Sequence, residues 1–233
     1  GERRDISPST VWTELARLRS CLQWAEERKI IERAPYVWLP SPAAPRSRVL
    51  TEEEVWAILD GCASPHIRLF VLLLAASAGR HTAVLELTWD RVDFTNGTIN
   101  LKAPRVVDPM SKKGQKGRAI VAMNNMTRAA LSAAQAGALT DYVIEWDGQP
   151  LKSAKKAFQR AVARAGLSGV TPHTFRHTAA TWLTEGEVPM EKVARYLGHR
   201  HQATTEAIYS HPKGNQLGDA AAALELRLVR GKK

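Results

Sequence analysis

Cysteine is scarce in this chain. Cys21 and Cys62 are the only two in 233 residues, too few for a disulfide framework and without metal-ligand spacing. They suit a reducing cytoplasm. Long apolar runs are missing as well. The longest, Leu69 to Ala76, has the length of a core helix, and no stretch reaches the eighteen residues of a membrane span. The opening GERRDISPST holds no apolar signal region and reads as the start of a fragment. No grouping of Asp, Glu and His has metal-ligand spacing, which leaves two-metal phosphodiester chemistry without support. There is no internal repeat, and the alanine run 220–223 is the one low-complexity tract.

Acid is in deficit. Lys and Arg number 33 against 23 Asp and Glu, a formal charge of +10. Such a surface attracts polyanions, of which nucleic acid is the commonest. Hydrophobic residues make up 44% and charged residues 24%, ordinary for a folded protein with a real core.

The first segment is helical. Ser7 is a helix cap, Pro8 suits the first turn, and Val11, Leu15, Leu18, Leu22 and Ala25 recur at helical spacing. One long helix and a short tail cannot enclose a core, so residues 1–41 are expected to be the end of an incomplete helical domain. Residues 42–50, within and just after PSPAAPRSR, form the linker, and 51–233 a second domain. Thr51 and Glu54 form a capping box for a helix running to Gly61. Ser64-Pro65 opens a nearly all-apolar helix through Ala78, which belongs at the centre of the core. A further helix runs to about Thr88.

The period then changes. Thr98–Leu101 and Arg118–Met123 are β-like and flank the glycine- and lysine-rich turn SKKGQKG. Residues 103–110 add a strand or a loop, and Tyr142–Trp146 is a short strand. The predicted fold is mainly α with a small antiparallel sheet, an α+β arrangement. A helix over 151–165 buries Ala154, Phe158, Val162 and Ala165. Lys152, Lys156, Arg160 and Arg164 fall four apart on another face, either a solvated stripe or one that tracks phosphates.

TPHTFRH, residues 171–177, opens the most informative helix. Thr171 caps it, Pro172 sits in its first turn and Gly186 ends it. Phe175, Ala179, Trp182 and Leu183 make its apolar stripe. His173, Arg176, His177 and Ala180 then fall on the opposite side, away from the core. Free amides and the helix dipole favour an anion there. A zinc site on His173 and His177 is disfavoured, because Thr174 stands where a zinc hydrolase keeps its glutamate and Arg176 would repel the metal. A solvated surface and a phosphate site on the Arg176 fork remain. Pro189–Leu197 is a short helix with Met190, Val193, Ala194 and Leu197 inward, closed by Gly198. A terminal helix over about 217–229 turns Leu217, Ala221, Leu224 and Leu228 to its own core or to a neighbour.

Taken in order, SAGRHTAVLELTW (77–89), SKKGQKGRAIVAM (111–123), HTFRHTAATWL, YLGH and a tyrosine ten residues after His199 resemble the tyrosine recombinase (phage integrase) family. The likeness spans roughly residues 50–212, and the preceding segment is similar to the end of that family's helical core-binding domain. The resemblance implies the family's catalytic-domain fold and covalent strand exchange on double-stranded DNA. It implies Tyr209 as nucleophile, Arg80 and Arg176 on the scissile phosphate, His173 and His199 beside them, and Lys113 as the hairpin lysine. Lys112, Lys116 and Arg118 lie close by and, with the basic stripe, are candidate DNA contacts. It also implies a tetramer on DNA, C-terminal helices exchanged between protomers, and neither a metal nor a cofactor. The family's acidic residue three after the first arginine is Ala83 here; Glu86, one turn on, is the candidate substitute.

The chemistry stands on its own. Without metals, charge growing on a phosphate must be met by permanent cations, and two planar guanidiniums do so. A phosphotyrosine ester keeps the energy of the phosphodiester, so a strand hydroxyl can reseal it without ATP. Tyrosine, with a pKa of about 10, needs neighbouring cations and a base such as His173. Two other readings use the same residues. A type IB topoisomerase has a similar Arg–Lys–Arg–His–Tyr set, and a DNA-binding module that no longer cuts is hinted at by Ala83.

Overall fold

The structure, a computed structural model, describes residues 6–41, 48–102, 119–186, 188–198, 222 and 224–225. The chain divides into two units, Gly1–Ser47 and Arg48–Lys233. In the first, α1 (Pro8–Glu27) starts as its capping residues require, with the Ser7 hydroxyl accepting from the Thr10 amide. None of its residues is buried, and Leu18 and Trp24 stand about half exposed within that unit.

The second unit is built round α3 (Pro65–Ser77), ten of whose residues are buried. A helix apolar on every side has to be surrounded. Here α2 (Glu52–Asp60), α4 (His81–Leu85), α5 (Asn125–Gln135), α6 (Lys155–Arg164) and α7 (Pro172–Glu185) all pack against it. The Thr51–Glu54 capping box forms, and Thr171 caps α7 reciprocally with Thr174. Leu50 enters the core with its amide donating to the Thr178 hydroxyl at 2.9 Å.

The sheet has three antiparallel strands in the order β1 (Val92–Asp93), β2 (Thr98–Asn100), β3 (Ile120–Ala122). β2 and β3 lie inside the two expected stretches. β1 is too short for any alternation to announce it. The expected strand at 142–146 shrinks to β4 (Glu145–Trp146), paired with β5 (Gln149–Pro150), while Tyr142 makes an isolated bridge to Thr88. Asp147 and Gly148, at φ 52° and 65°, form the tight turn that stops it. The helix after Arg80 ends at Leu85, not near Thr88, where Glu86 caps it. α8 (Met190–Leu197) follows α7 and buries Val193, Tyr196 and Leu197. Tyr196 was not among the residues expected inside, whereas Ala194 is half-buried. Residues 103–118 and 199–221 lie outside the described residues, and with them the 103–110 question.

At the far end of the chain, Ala222, Leu224 and Glu225 are helical. Leu224 is fully buried in this chain's own core, and the Glu225 carboxylate accepts from the Asn125 amide at the start of α5 at 3.1 Å. The fold is thus mostly helical with small antiparallel sheets.

Candidate active site

The end of α3 builds the site. Ala78, its C-cap, is left-handed at φ 50°, which stops the helix and turns the chain. Gly79 follows in a tight place. A Cβ there would lie 2.8 Å from Leu101 Cδ1 and 2.9 Å from Ser77 Oγ. The absence of a side chain lets the turn press against the sheet edge, and Arg80 emerges as the N-cap of α4.

Arg176 comes to the same place from α7, and its position corrects the helical-wheel reading. It does not lie on the side away from the core: its relative exposure is 7%. The wheel identified one buried face of α7, but α8 packs on that helix too, so a second face is covered. The guanidinium bridges two carbonyls. Nη1 donates to Ala78 O at 2.9 Å and Nη2 to Leu197 O at 2.5 Å. One fork therefore ties the end of α3 to the end of α8. Burial, and then the charge of Arg80, push the Arg176 pKa down to about 10, still cationic at neutral pH. Arg80, Ala83, Arg176, Tyr196 and Leu197 line a cavity of about 10 Å³, room for roughly one water-sized group. The two arginines, distant in sequence, share this cavity.

Ala83 is 1% exposed and faces it. Glu86 is exposed at the C-cap of α4 and does not line the cavity.

His173 is exposed in the first turn of α7, its ring centroid 4.5 Å from that of His177 in an edge-on arrangement. Desolvation first, and then the charges of His177, Arg176, Arg80 and His81, hold its pKa below the ordinary histidine value. The imidazole is biased towards the neutral form, which accepts a proton. A groove of about 410 Å³ runs from His173 and Thr171 past His81 to Lys152 and Lys155, over a floor that includes Phe70, Phe158 and Val170. Of the basic stripe, Lys152 lines this groove. Lys156 and Arg160 are exposed on α6 outside it, and Arg164 gives one donor to the Gly61 carbonyl at 2.9 Å.

Lys112, Lys113, Lys116, Arg118, His199 and Tyr209 lie outside the described residues. Three residues went unnoticed in the sequence: His81, Lys155 and Tyr196. His81 adjoins Arg80 and Lys155 sits between two flagged lysines, so proximity could have raised both. Tyr196 opens the YLGH motif, but nothing local gives it a role, because its partner is 120 residues away. Among the described residues no group of three or more His, Cys, Asp and Glu could hold a metal ion, and no helix is long and apolar enough to cross a membrane.

Comparison with known proteins adds the lineage. The integrase of Salmonella phage P22 is 24% identical, over 93% of this chain and 57% of the phage protein. This chain thus spans little more than half of that relative's length. The tyrosine recombinase XerC of Xanthomonas campestris is 27% identical, over 99% of this chain and 72% of its own. Two solved structures share the fold. One is the Tn1549 transposon integrase in complex with transposon right end DNA, with a TM-score of 0.69 and 19% identity, covering 97% of this chain and 81% of that one. The other is a lambda integrase dimer bound to a core site, with a TM-score of 0.61 and 17% identity, covering 84% and 74%. The profile of the phage integrase family matches residues 48–216, and with it over most of the chain, this protein belongs to that family, the tyrosine recombinases.

Proposed function

We propose that this chain is the catalytic part of a site-specific DNA recombinase that cuts and rejoins strands through a 3′-phosphotyrosine link. Residues 51–233 are the catalytic domain in this reading, and 1–41 the end of a DNA-clasping helical domain. The observation that carries it is the meeting of Arg80 and Arg176 at one cavity beside His173.

The two guanidiniums take the non-bridging oxygens of the scissile phosphate and neutralise the charge that grows there. Tyr209 Oη attacks phosphorus as His173 accepts the phenolic proton. The bond from phosphorus to the 5′ oxygen breaks, and Lys113 supplies that oxygen with a proton. His199 donates a hydrogen bond to the phosphate. The phosphotyrosine ester conserves the bond energy, so attack by a 5′ hydroxyl reseals the strand, with no step that calls for ATP or a metal. Lys112, Lys116, Arg118, Lys152, Lys156, Arg160 and Arg164 contact flanking phosphates of the duplex.

Strand exchange needs four active sites, and so a tetramer on DNA in the cytoplasm. Leu224 packs on its own core in the single chain; on DNA the terminal helix passes to a neighbouring protomer. A nicked suicide duplex carrying the cognate site tests the reading. Wild type traps a covalent protein–DNA adduct that survives denaturation, and Tyr209→Phe does not. Equal adduct from both, or none from wild type on a confirmed site, overturns it.

A further inference from the structure

We propose that Tyr196 is a positioning residue for Arg176, holding the end of α8 against the end of α3 so that the arginine's two carbonyl anchors keep a fixed separation. The inference rests on the recombinase reading, since it assigns Arg176 to the scissile phosphate.

The last carbonyls of a helix have no partner within it. At the end of α3 they are taken by side chains from other elements. Tyr196 Oη donates to Ala76 O at 2.6 Å, and Arg176 Nη1 to Ala78 O at 2.9 Å. The next residue after Tyr196 is Leu197, whose carbonyl takes the other arm of Arg176 at 2.5 Å. The result is a closed ring: Ala76 and Ala78 on α3, Arg176 on α7, Leu197 and Tyr196 on α8. Each bond constrains the others. Without the Tyr196 hydroxyl, the Leu197 carbonyl is no longer fixed relative to that of Ala78, and the planar fork must follow one anchor or the other.

The hydroxyl suits this work. Tyr196 is 1% exposed, and burial raises its pKa well above the ordinary phenol value. It therefore stays protonated, a permanent donor, and its oxygen is turned to the Ala76 carbonyl. Tyr196 also lines the cavity that Arg80 and Arg176 share. Gly198, left-handed at φ 66°, ends α8 directly after Tyr196 and Leu197.

The test uses the whole chain with Tyr196→Phe, which keeps the ring and removes the hydroxyl. Leu131→Val, a change at a buried core residue of α5 that makes none of these hydrogen bonds, serves as control. Single-turnover cleavage is read on two nicked suicide duplexes below the melting range. One has an ordinary scissile phosphate, the other a neutral methylphosphonate that lacks the charge Arg176 meets. Tyr196→Phe should slow the phosphodiester about tenfold and the methylphosphonate no more than about twofold, with DNA affinity unchanged; the control should slow neither. Equal loss on both substrates, a matching loss in the control, or no loss on the phosphodiester overturns the inference. A second reading needs no chemistry. The Arg176 guanidinium should show distinct, slowly exchanging ¹⁵Nη resonances in wild type that merge in Tyr196→Phe; unchanged resonances overturn the inference even where cleavage cannot be scored. Wild type that forms no adduct sinks the recombinase reading and this inference with it. Wild type that forms adduct beside an unaffected Tyr196→Phe sinks the inference alone.

Discussion

Arg176→Lys keeps the charge and removes the fork, which makes it the sharpest perturbation of the site. The native side chain spans two carbonyls on two elements, Ala78 at 2.9 Å and Leu197 at 2.5 Å. A lysine has one nitrogen on a flexible stem and can hold one of them well. One hydrogen bond from a charged donor is lost, about 1.5–3 kcal/mol, and a buried carbonyl is left without its partner. For a unit of this size each kcal/mol lowers the melting temperature by about 2–4 °C, so the drop is about 3–12 °C. Cleavage should suffer more, about 10²- to 10³-fold, because the paired donors on the phosphate go too. Circular dichroism melts and single-turnover adduct formation on a nicked duplex, run on the same preparations, measure both. An unchanged melting temperature would refute the bridging role. Cleavage within about threefold of wild type would refute the phosphate assignment.

Three further outcomes follow from the geometry. Gly79→Ala drives a methyl group to 2.8 Å from Leu101 Cδ1 and 2.9 Å from Ser77 Oγ; thermal melts should show a loss of about 1–3 kcal/mol, with cleavage falling further as Arg80 shifts. A His173 pKa held below the usual histidine value places the acid limb of the cleavage rate below pH 6.5, because the base works only when neutral. Removing the neighbouring positive charge by His177→Ala should move that limb towards higher pH; a shift the other way would contradict the cause assigned. Lys152→Ala with Lys155→Ala, both on the groove beside His173, should flatten the plot of log affinity against log salt by about 0.9 for each phosphate no longer neutralised, whereas an unchanged slope would place the DNA elsewhere.

Helix starts were the most legible part of the fold. Ser7, Thr51 and Thr171 each accept from the amide three residues on, and a cap is a local bond between near neighbours, written in a few adjacent letters. The apolar helix 65–77 announced its central place in the same way. β1 was illegible because two residues carry no period, and it exists only through its pairing with β2. Arg176 was placed on the wrong side for a related reason. Helical spacing groups residues by face, but which faces are covered depends on where α8 and the end of α3 arrive, and those bonds span 21 and 98 residues of sequence. The ring through Tyr196 has the same origin. Motif order brought Arg80 and Arg176 forward as candidates; how Arg176 is held was not legible, since its anchors are backbone carbonyls and any residue type supplies those.

The central claim is that two guanidiniums share one phosphate. It is tested most directly by a crystal structure of the Tyr209→Phe variant on its cognate duplex, with the scissile linkage intact. Both Arg80 and Arg176 should then donate, at about 2.7–3.0 Å, to non-bridging oxygens of the same phosphate. Arginines engaged on different phosphates, or Arg80 turned away from the DNA, would contradict it.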